Sequence, residues 1–324
     1  MKAAIHTKYG PPEVVSIGDL PKPEPKEDEI LVKVCASTVN RTDAGFRSAE
    51  YFISRFFSGL FRPHNPVLGC EFAGKVVKVG SLVTEFIPGD RVFGFNDQTW
   101  GGHGEFMVIK SGAGVTKMPD HLTYEEAAPI SEGAHYALGN IVASGIKKGQ
   151  QAVVYGATGA IGSAAVQLLK FFGVEVTAVC NSKNVGLVKS LGADAVISYE
   201  TEDYTITKKK FKLVFDAVGK SSFGACKKIL SDDGVYISTE LGQNGENIWR
   251  AILGKIFGGK RILFPLPETK KSDIVFLKQL VEEKKFKPLV DRTYVLDDIV
   301  EAYRYVETGQ KIGNVVLLMN ASEK

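Results

Sequence analysis

Val153-Val154-Tyr155-Gly156-Ala157-Thr158-Gly159-Ala160-Ile161-Gly162-Ser163 is the stretch that decides the fold. A short β-branched run ends in a glycine-rich turn and passes straight into the helical stretch Ser163 to Phe172, so the glycines sit where a strand hands over to a helix. Glycine there permits the turn, lets backbone approach a pyrophosphate and packs the helix close to its sheet. The helix N-terminus adds amide donors and the positive end of a dipole. Gly156, Thr158, Gly159, Ala160, Ile161 and Gly162 are therefore the expected cofactor-binding residues. Outward from this turn, Val174 to Val179, Ala195-Val196-Ile197, Leu213-Val214-Phe215 and Val235-Tyr236-Ile237 alternate with helical stretches. That alternation is the signature of a doubly wound parallel sheet with crossover helices, an α/β fold.

In the NAD-binding form of such a unit, an Asp or Glu about 20 residues past the glycines, at the carboxyl end of the second strand, holds the ribose 2′-hydroxyl. Here that strand ends Val179-Cys180-Asn181-Ser182-Lys183. Glu175 lies near the nominal spacing, but four strand residues follow it, which places it away from the nucleotide end. A cation and a hydroxyl at Ser182 and Lys183, with no carboxylate to repel a phosphate, suit the 2′-phosphate of NADP. NADPH is thus the expected cofactor, with a solvated Lys183 opening a helix as the rival reading.

The rest of the chain is mostly β at its start. Ile30 to Val39 and Lys75-Val76-Val77-Lys78-Val79 read as strands bounded by Pro88-Gly89-Asp90 and Gly101-Gly102, and Pro21 to Lys26 reads as a polyproline-like spacer. Thr123-Tyr124-Glu125-Glu126 carries a capping box, so a helix and a domain boundary are expected there. Beyond residue 260 follow one more strand, a helix around Asp273 to Glu283, a helix opened by Asp297 and a closing strand Val315 to Leu318.

Composition narrows the function. The 324 residues suit two domains at about 150 residues each. A net charge of +3, with no basic run longer than Lys208-Lys209-Lys210, argues against a dedicated nucleic-acid binder. No apolar run approaches the ~20 residues of a membrane span. The opening Met1-Lys2-Ala3-Ala4-Ile5-His6 lacks a secretory signal's apolar stretch, and a cytoplasmic location is expected. Four scattered cysteines, at 35, 70, 180 and 226, point to a reduced compartment without a disulfide framework or a structural zinc site.

Val39-Asn40-Arg41-Thr42-Asp43, Leu68 to Gly80, Gly89-Asp90-Arg91-Val92, Gly156 to Gly162 with Gln167 and Lys170, Ser190 to Asp194 and Phe215-Asp216-Ala217-Val218-Gly219 together resemble the medium-chain dehydrogenase/reductase superfamily. Within it they are similar to the zinc-free quinone oxidoreductase branch, related to ζ-crystallin and the reticulon-interacting oxidoreductases. The resemblance covers nearly the whole chain. It implies a GroES-like catalytic domain made from both ends of the chain (residues 1–124 and 263–324) around a Rossmann domain (125–262), with substrate in the cleft between them.

The resemblance also assigns roles. Where zinc enzymes of the superfamily carry Cys, His and a third ligand, this chain has Asn40, Cys70 and about Ser131, and zinc needs three protein ligands around an open position. No metal is therefore expected. Asn40 matches the branch's active-site Asn, with a turn residue bonding its own backbone as the other reading, and Asp43 accompanies it as an orderer of the loop. Tyr199 would lie beside the adenosine 2′-phosphate with Ser182 and Lys183. Val218, Gly219, Thr239 and Leu241 would line the nicotinamide side, and Asn314 would close over the cofactor. The aromatic segment Phe46 to Phe61, with Phe46, Tyr51 and Phe52 foremost, is expected as a lid on a hydrophobic substrate, or as core or a partner surface. The implied activity is NADPH-dependent, zinc-independent hydride transfer to quinones or α,β-unsaturated carbonyls, whose developing charge is delocalised and needs only hydrogen-bond donors nearby. A zinc-type alcohol dehydrogenase and a non-catalytic NADPH-binding protein of the crystallin kind remain as alternatives. Members of the branch are commonly homodimers, and Arg261-Ile262-Leu263-Phe264-Pro265 is the candidate pairing strand.

Overall fold

The structure is a computed structural model. It describes residues 1–320 apart from 51, 243, 244, 258, 266 and 267, and only the backbone of 53, 249 and 253–257. The chain forms two units, one from residues 1–132, 269–284 and 288 onward, the other from residues 133–268 with 285–287.

In chain order the first unit begins with β1 (Lys2–His6), β2 (Val15–Asp19) and β3 (Glu29–Val39), then α1 (Arg41–Ser48) and α2 (Arg55–Ser58). It continues with β4 (Glu71–Val79), β5 (Arg91–Phe95), β6 (Phe106–Lys110), β7 (Val115–Lys117) and α3 (Tyr124–Ala127). The second unit carries α4 (Glu132–Ser144), whose first residue belongs to the first unit, then β8 (Gln151–Tyr155), α5 (Ala160–Phe171), β9 (Glu175–Cys180), α6 (Val185–Ser190) and β10 (Ala195–Ser198). After these come β11 (Phe211–Asp216), α7 (Phe223–Cys226), β12 (Leu230–Ser238), α8 (Glu246–Phe257) and β13 (Arg261–Leu263). The chain then returns to the first unit with α9 (Lys271–Glu282), β14 (Val290–Val295), α10 (Ile299–Glu307) and β15 (Asn314–Leu318).

The second unit is a six-stranded sheet in the order β10-β9-β8-β11-β12-β13, parallel throughout. Renumbered from β8 this is 3-2-1-4-5-6, the doubly wound order in which nucleotides bind outside the carboxyl ends of the strands where the order reverses, between β8 and β11. The sequence explains the layering. Ala152, Val153 and Val154 of β8 and Leu213, Val214 and Phe215 of β11 are continuous apolar runs, as strands covered on both faces must be. The helix expected from Ser163 begins three residues earlier, at Ala160, so the glycines lie at its first turn.

The first unit is mostly β. Its sheet runs β14-β15-β3-β4-β5-β7, with β6 also pairing with β3, beside the separate antiparallel pair β1-β2. β3 is central, and every residue but Lys33 is buried, which its sequence EILVKVCASTV supports on both faces. Ile299, Ala302, Tyr303 and Val306 of α10 recur at helical spacing and bury one face in the core with Ile30, Val32 and Phe72. The capping box at Thr123 forms as read: its hydroxyl accepts from Glu126 N, and the Glu126 carboxylate accepts from Thr123 N. The fold is therefore α/β, a Rossmann sheet plus a mostly β unit, and among the described residues no helix is long and apolar enough to cross a membrane.

Candidate active site

In the second unit β8 ends at Tyr155, and the chain turns at Gly156, whose φ of +79° suits glycine. Gly156 N and Ala157 N both donate to Val179 O of β9 at 3.1 Å, and Gly159 N donates to Gly156 O at 3.1 Å, so the turn is held by backbone alone. A Cβ on Gly162 would fall 2.1 Å from Gly156 O, and only glycine allows this approach of helix to turn. Gly159 differs: it is the N-cap of α5, and the nearest atom to a Cβ there is 3.7 Å away. Among the described residues no side-chain cap is made at the N-terminus of α5. Uncapped first-turn amides facing open space beside glycine are what a diphosphate fits, and the residues present accommodate a dinucleotide.

The other carboxyl-end loops gather around this turn. Val218 covers Gly156, since a Cβ on that glycine would meet Val218 Cγ1 at 2.5 Å. The β11 loop is fixed by Asp216, whose buried carboxylate accepts from Val218 N (3.2 Å), Lys220 N (3.3 Å), Ser221 N (2.8 Å) and the Tyr236 hydroxyl (3.1 Å). Thr239 N donates to Asp216 O at 3.1 Å, and Leu241 O accepts from Asn247 N at 3.1 Å. Val218, Gly219, Thr239 and Leu241 thus lie in the loops that follow β11 and β12. Asn314 belongs to the other unit, where it is buried at the start of β15 with Nδ2 donating to Leu289 O at 2.9 Å.

Ser182, Lys183 and Tyr199 stand at the ends of β9 and β10 as the sequence places them. Tyr199 is 49% exposed, its ring 6.2 Å from Tyr155. One expectation is corrected. A carboxylate does stand here: Glu200, at the end of the third strand, accepts from Ser182 N at 3.0 Å. The hydrogen bonds from Ser182, with a smaller pull from the Lys183 ammonium, hold the Glu200 carboxyl below the usual carboxylate range. A search confined to the end of the second strand misses it. Ser182 Oγ is also engaged, 2.7 Å from Ser198 Oγ.

In the first unit the conspicuous feature is a buried polar cluster. Asn40 is the N-cap of α1: its Oδ1 accepts from Asp43 N at 2.8 Å while Asp43 Oδ2 accepts from Asn40 N at 3.1 Å. Its Nδ2 donates to Cys70 Sγ (3.2 Å) and Thr38 Oγ1 (3.4 Å), so both ends of the amide are engaged within the chain. Asp43 Oδ1 also accepts from Gly69 N at 3.1 Å, and burial pushes this carboxyl up to about 7. Glu71 accepts from Thr38 Oγ1 (2.7 Å), Ser131 N (2.9 Å), Ser131 Oγ (3.0 Å) and Glu132 N (2.5 Å). Burial, with Glu132 beside it, pushes Glu71 up to about 8, and burial raises Glu132 to about 7. His103 donates from Nε2 to Thr38 O (2.7 Å), lies 3.4 Å by Nδ1 from the Tyr303 hydroxyl, and is pushed down to about 4 by burial, hence neutral.

Beside this cluster a cavity of about 490 Å³ is lined by His6, Phe46, Phe57, Leu68, Asp97 and Trp100 among others. Phe46 packs on Trp100 with ring centroids 4.9 Å apart. Phe52 does not line it and is 63% exposed, as are Phe56, Phe57 and Phe61 to similar or greater extents. Tyr51 lies outside the described residues.

Comparison with known proteins gives this geometry a family. Residues 26–120 match the alcohol dehydrogenase GroES-like domain, and residues 191–317 match the zinc-binding dehydrogenase family. The chloroplastic quinone-oxidoreductase homolog of Spinacia oleracea is 30% identical over 312 residues, covering 91% of each chain. This chain belongs to the quinone oxidoreductase-like branch of the medium-chain dehydrogenase/reductase superfamily. A chloroplastic NADPH-dependent alkenal/one oxidoreductase of Arabidopsis thaliana is 27% identical over 98% of this chain and 79% of its own. The quinone oxidoreductase structure from Coxiella burnetii superposes with a TM-score of 0.89 at 26% identity, over 99% of both chains.

As a medium-chain dehydrogenase/reductase the protein is an oxidoreductase of a family that uses a nicotinamide cofactor. The zinc in one family description does not fit its residues. Among the described residues no group of three His, Cys, Asp or Glu is placed to hold a metal. The nearest candidates are spent on the chain itself: Cys70 is a buried neutral thiol, His103 is tied to Thr38 and Tyr303, and Glu71 takes four donors.

Proposed function

We propose that this member of the branch is an NADPH-dependent, zinc-independent reductase of quinones or α,β-unsaturated carbonyls. The observation that carries the reading is the uncapped, glycine-lined N-terminus of α5 at the point where the sheet order reverses. Gly156, Thr158, Gly159, Ala160, Ile161 and Gly162 hold the diphosphate, and Ser182, Lys183 and Tyr199 bind the adenosine end. Val218, Gly219, Thr239 and Leu241 line the nicotinamide side. When bound, the reduced nicotinamide supplies a hydride. Asn40 and Asp43 act as positioning residues that brace the loop after β3, since their side chains are turned onto Thr38, Gly69 and Cys70. Phe46 and Trp100 offer an apolar wall to the acceptor in the cavity.

Among the described residues the candidate metal ligands Cys70, His103 and Glu71 are engaged within the chain, which disfavours activation of a plain carbonyl or alcohol by a bound metal. Conjugated acceptors need less help, because the charge that develops on them is delocalised. The names of the relatives from spinach, Arabidopsis and Coxiella, a quinone-oxidoreductase homolog, an alkenal/one oxidoreductase and a quinone oxidoreductase, point the same way. The test is oxidation of NADPH and of NADH by chelator-treated protein over a panel of a benzoquinone, a naphthoquinone, a 2-alkenal, an enone and a saturated aldehyde. Turnover confined to the conjugated acceptors is expected, while saturated-aldehyde reduction that requires added zinc would overturn the reading.

A further inference from the structure

The adenosine end of the site carries two opposite charges on neighbouring loops. Lys183 is exposed just after β9, and Glu200 is exposed just after β10, drawn toward it by the parallel register that sets Ser198 opposite Cys180. Glu200 reaches across to Ser182 N at 3.0 Å. Ser182 Oγ is 2.7 Å from Ser198 Oγ, which also accepts from Glu200 N at 3.3 Å. The amide and the hydroxyl that a 2′-phosphate would seek at Ser182 are therefore already taken, one of them by an anion of the chain's own.

We propose that Glu200 is a cofactor-specificity residue: docked on the Ser182 amide it holds the place of the 2′-phosphate, and it has to leave when NADPH binds. The reasoning is electrostatic and stereochemical. A carboxylate at this place accepts from a ribose 2′-hydroxyl and so suits NADH, whereas a 2′-phosphate brings about −1.5 to −2 charges against it. Lys183 favours the phosphate and Glu200 opposes it, so the chain's preference for NADPH is smaller than Lys183 alone would give. This inference rests on the nucleotide site proposed above and adds to it a residue that weakens the preference.

Binding of 2′,5′-ADP and of 5′-AMP, measured by calorimetry on the intact protein at low ionic strength, separates the two ideas. Glu200→Gln is the informative substitution, because a side-chain amide oxygen still accepts from Ser182 N and only the charge is lost. Wild-type protein is expected to prefer 2′,5′-ADP by less than about tenfold, and Glu200→Gln to raise that preference about fivefold, with 5′-AMP changing less than about twofold and the effect fading as salt is added. Lys183→Gln should move the preference the other way. If both probes bind and Glu200→Gln leaves their ratio unchanged, Glu200 is only a loop cap and this inference fails while the nucleotide site stands. If neither probe binds wild-type protein, the site itself is wrong and the inference falls with it.

Discussion

Gly159→Ala and Gly162→Ala differ by one methyl group on the same turn, and the structure predicts opposite consequences. At Gly162 the new Cβ would stand 2.1 Å from Gly156 O and 2.8 Å from Gly156 C, atoms of a backbone itself tied to Val179 O. Relieving that contact requires a shift of about 1 Å in helix or turn, the kind of overpacking that costs about 1–3 kcal/mol or more. At about 3 °C per kcal/mol for a unit of this size, the melting temperature should fall by roughly 3–9 °C. At Gly159 the backbone (φ −71°, ψ 170°) is open to alanine, and the nearest atom is 3.7 Å away. The loss of a glycine N-cap and the gain from a stiffer unfolded chain nearly cancel, so stability should change by less than about 1 kcal/mol. The methyl group would nevertheless intrude on the first-turn amides at which the proposed diphosphate site is built. NADPH affinity should then drop at least tenfold, about 1.4 kcal/mol. Thermal melts and nucleotide titrations on the two variants check both halves. A stable Gly159→Ala protein that binds NADPH like wild type would refute the cradle, and a Gly162→Ala protein with an unchanged melt would refute the packing argument.

Two further outcomes follow from the first unit. Arg47 is fully buried, paired with Glu307 and stacked 4.8 Å from the Tyr303 ring, and among the described residues its Nε and Nη1 have no hydrogen-bond partner. Glu307→Gln strands that charge and should cost about 2–4 kcal/mol, somewhat less than the usual about 3–5 kcal/mol because Glu307 is partly exposed, while Arg47→Met should cost less than Glu307→Gln; chemical denaturation that ranks them in reverse contradicts this. The second outcome concerns pH. Asp43, Glu71 and Glu132 hold protons in the folded state up to about 7–8 that the unfolded chain releases near 4, so their contribution is full below about pH 4 and is lost as pH rises to about 8. His103 works in the opposite sense, refusing below pH 6.5 a proton that the unfolded chain accepts, down to about 4. Between about pH 4.5 and 6.5 the three carboxyls outweigh the one imidazole, so melting temperature should already decline from about pH 5, fall more steeply just above about pH 6.5 and level off near about pH 8, and Glu71→Gln should flatten that decline; a stability that rises from pH 6 to 8 would contradict the burial argument.

What the sequence made legible was local. The strand-turn-helix at Gly156, the capping box at Thr123 and the apolar runs of the parallel strands depend on neighbours within a few positions, where turn stereochemistry and side-chain periodicity act. What it hid depended on pairing at a distance. Glu200 reaches Ser182 only because β10 lies beside β9 in one particular register, and nothing in either loop alone announces it. Asn40 could be matched to a family position, but its contact with Cys70, 30 residues away, appears only once β3 and β4 pair. Arg47 lies on a helix where a cation ordinarily faces water, and its burial depends on Glu307, 260 positions along the chain. The aromatic segment was the hardest to divide, since hydrophobicity alone does not separate Phe46 against Trp100 from the exposed Phe52.

The place of β15 has a consequence for how the molecule is made. It pairs with β3 on one side and β14 on the other, Val315 opposite Val39, so the Ala36–Val39 end of β3 lacks this neighbour until β15 has been synthesised. At about 5–20 residues per second, the 276 positions from Val39 to Val315 correspond to roughly 15–55 s during which β3 is on the nascent chain without β15, though β4 and β6 are already made. The parallel sheet of the second unit, drawn almost wholly from residues 133–268, needs no such wait. The sheet of the second unit can therefore close before that of the first, although the first begins earlier in the chain, and a stop codon only a few residues ahead of Asn314 would leave β3 without this neighbour.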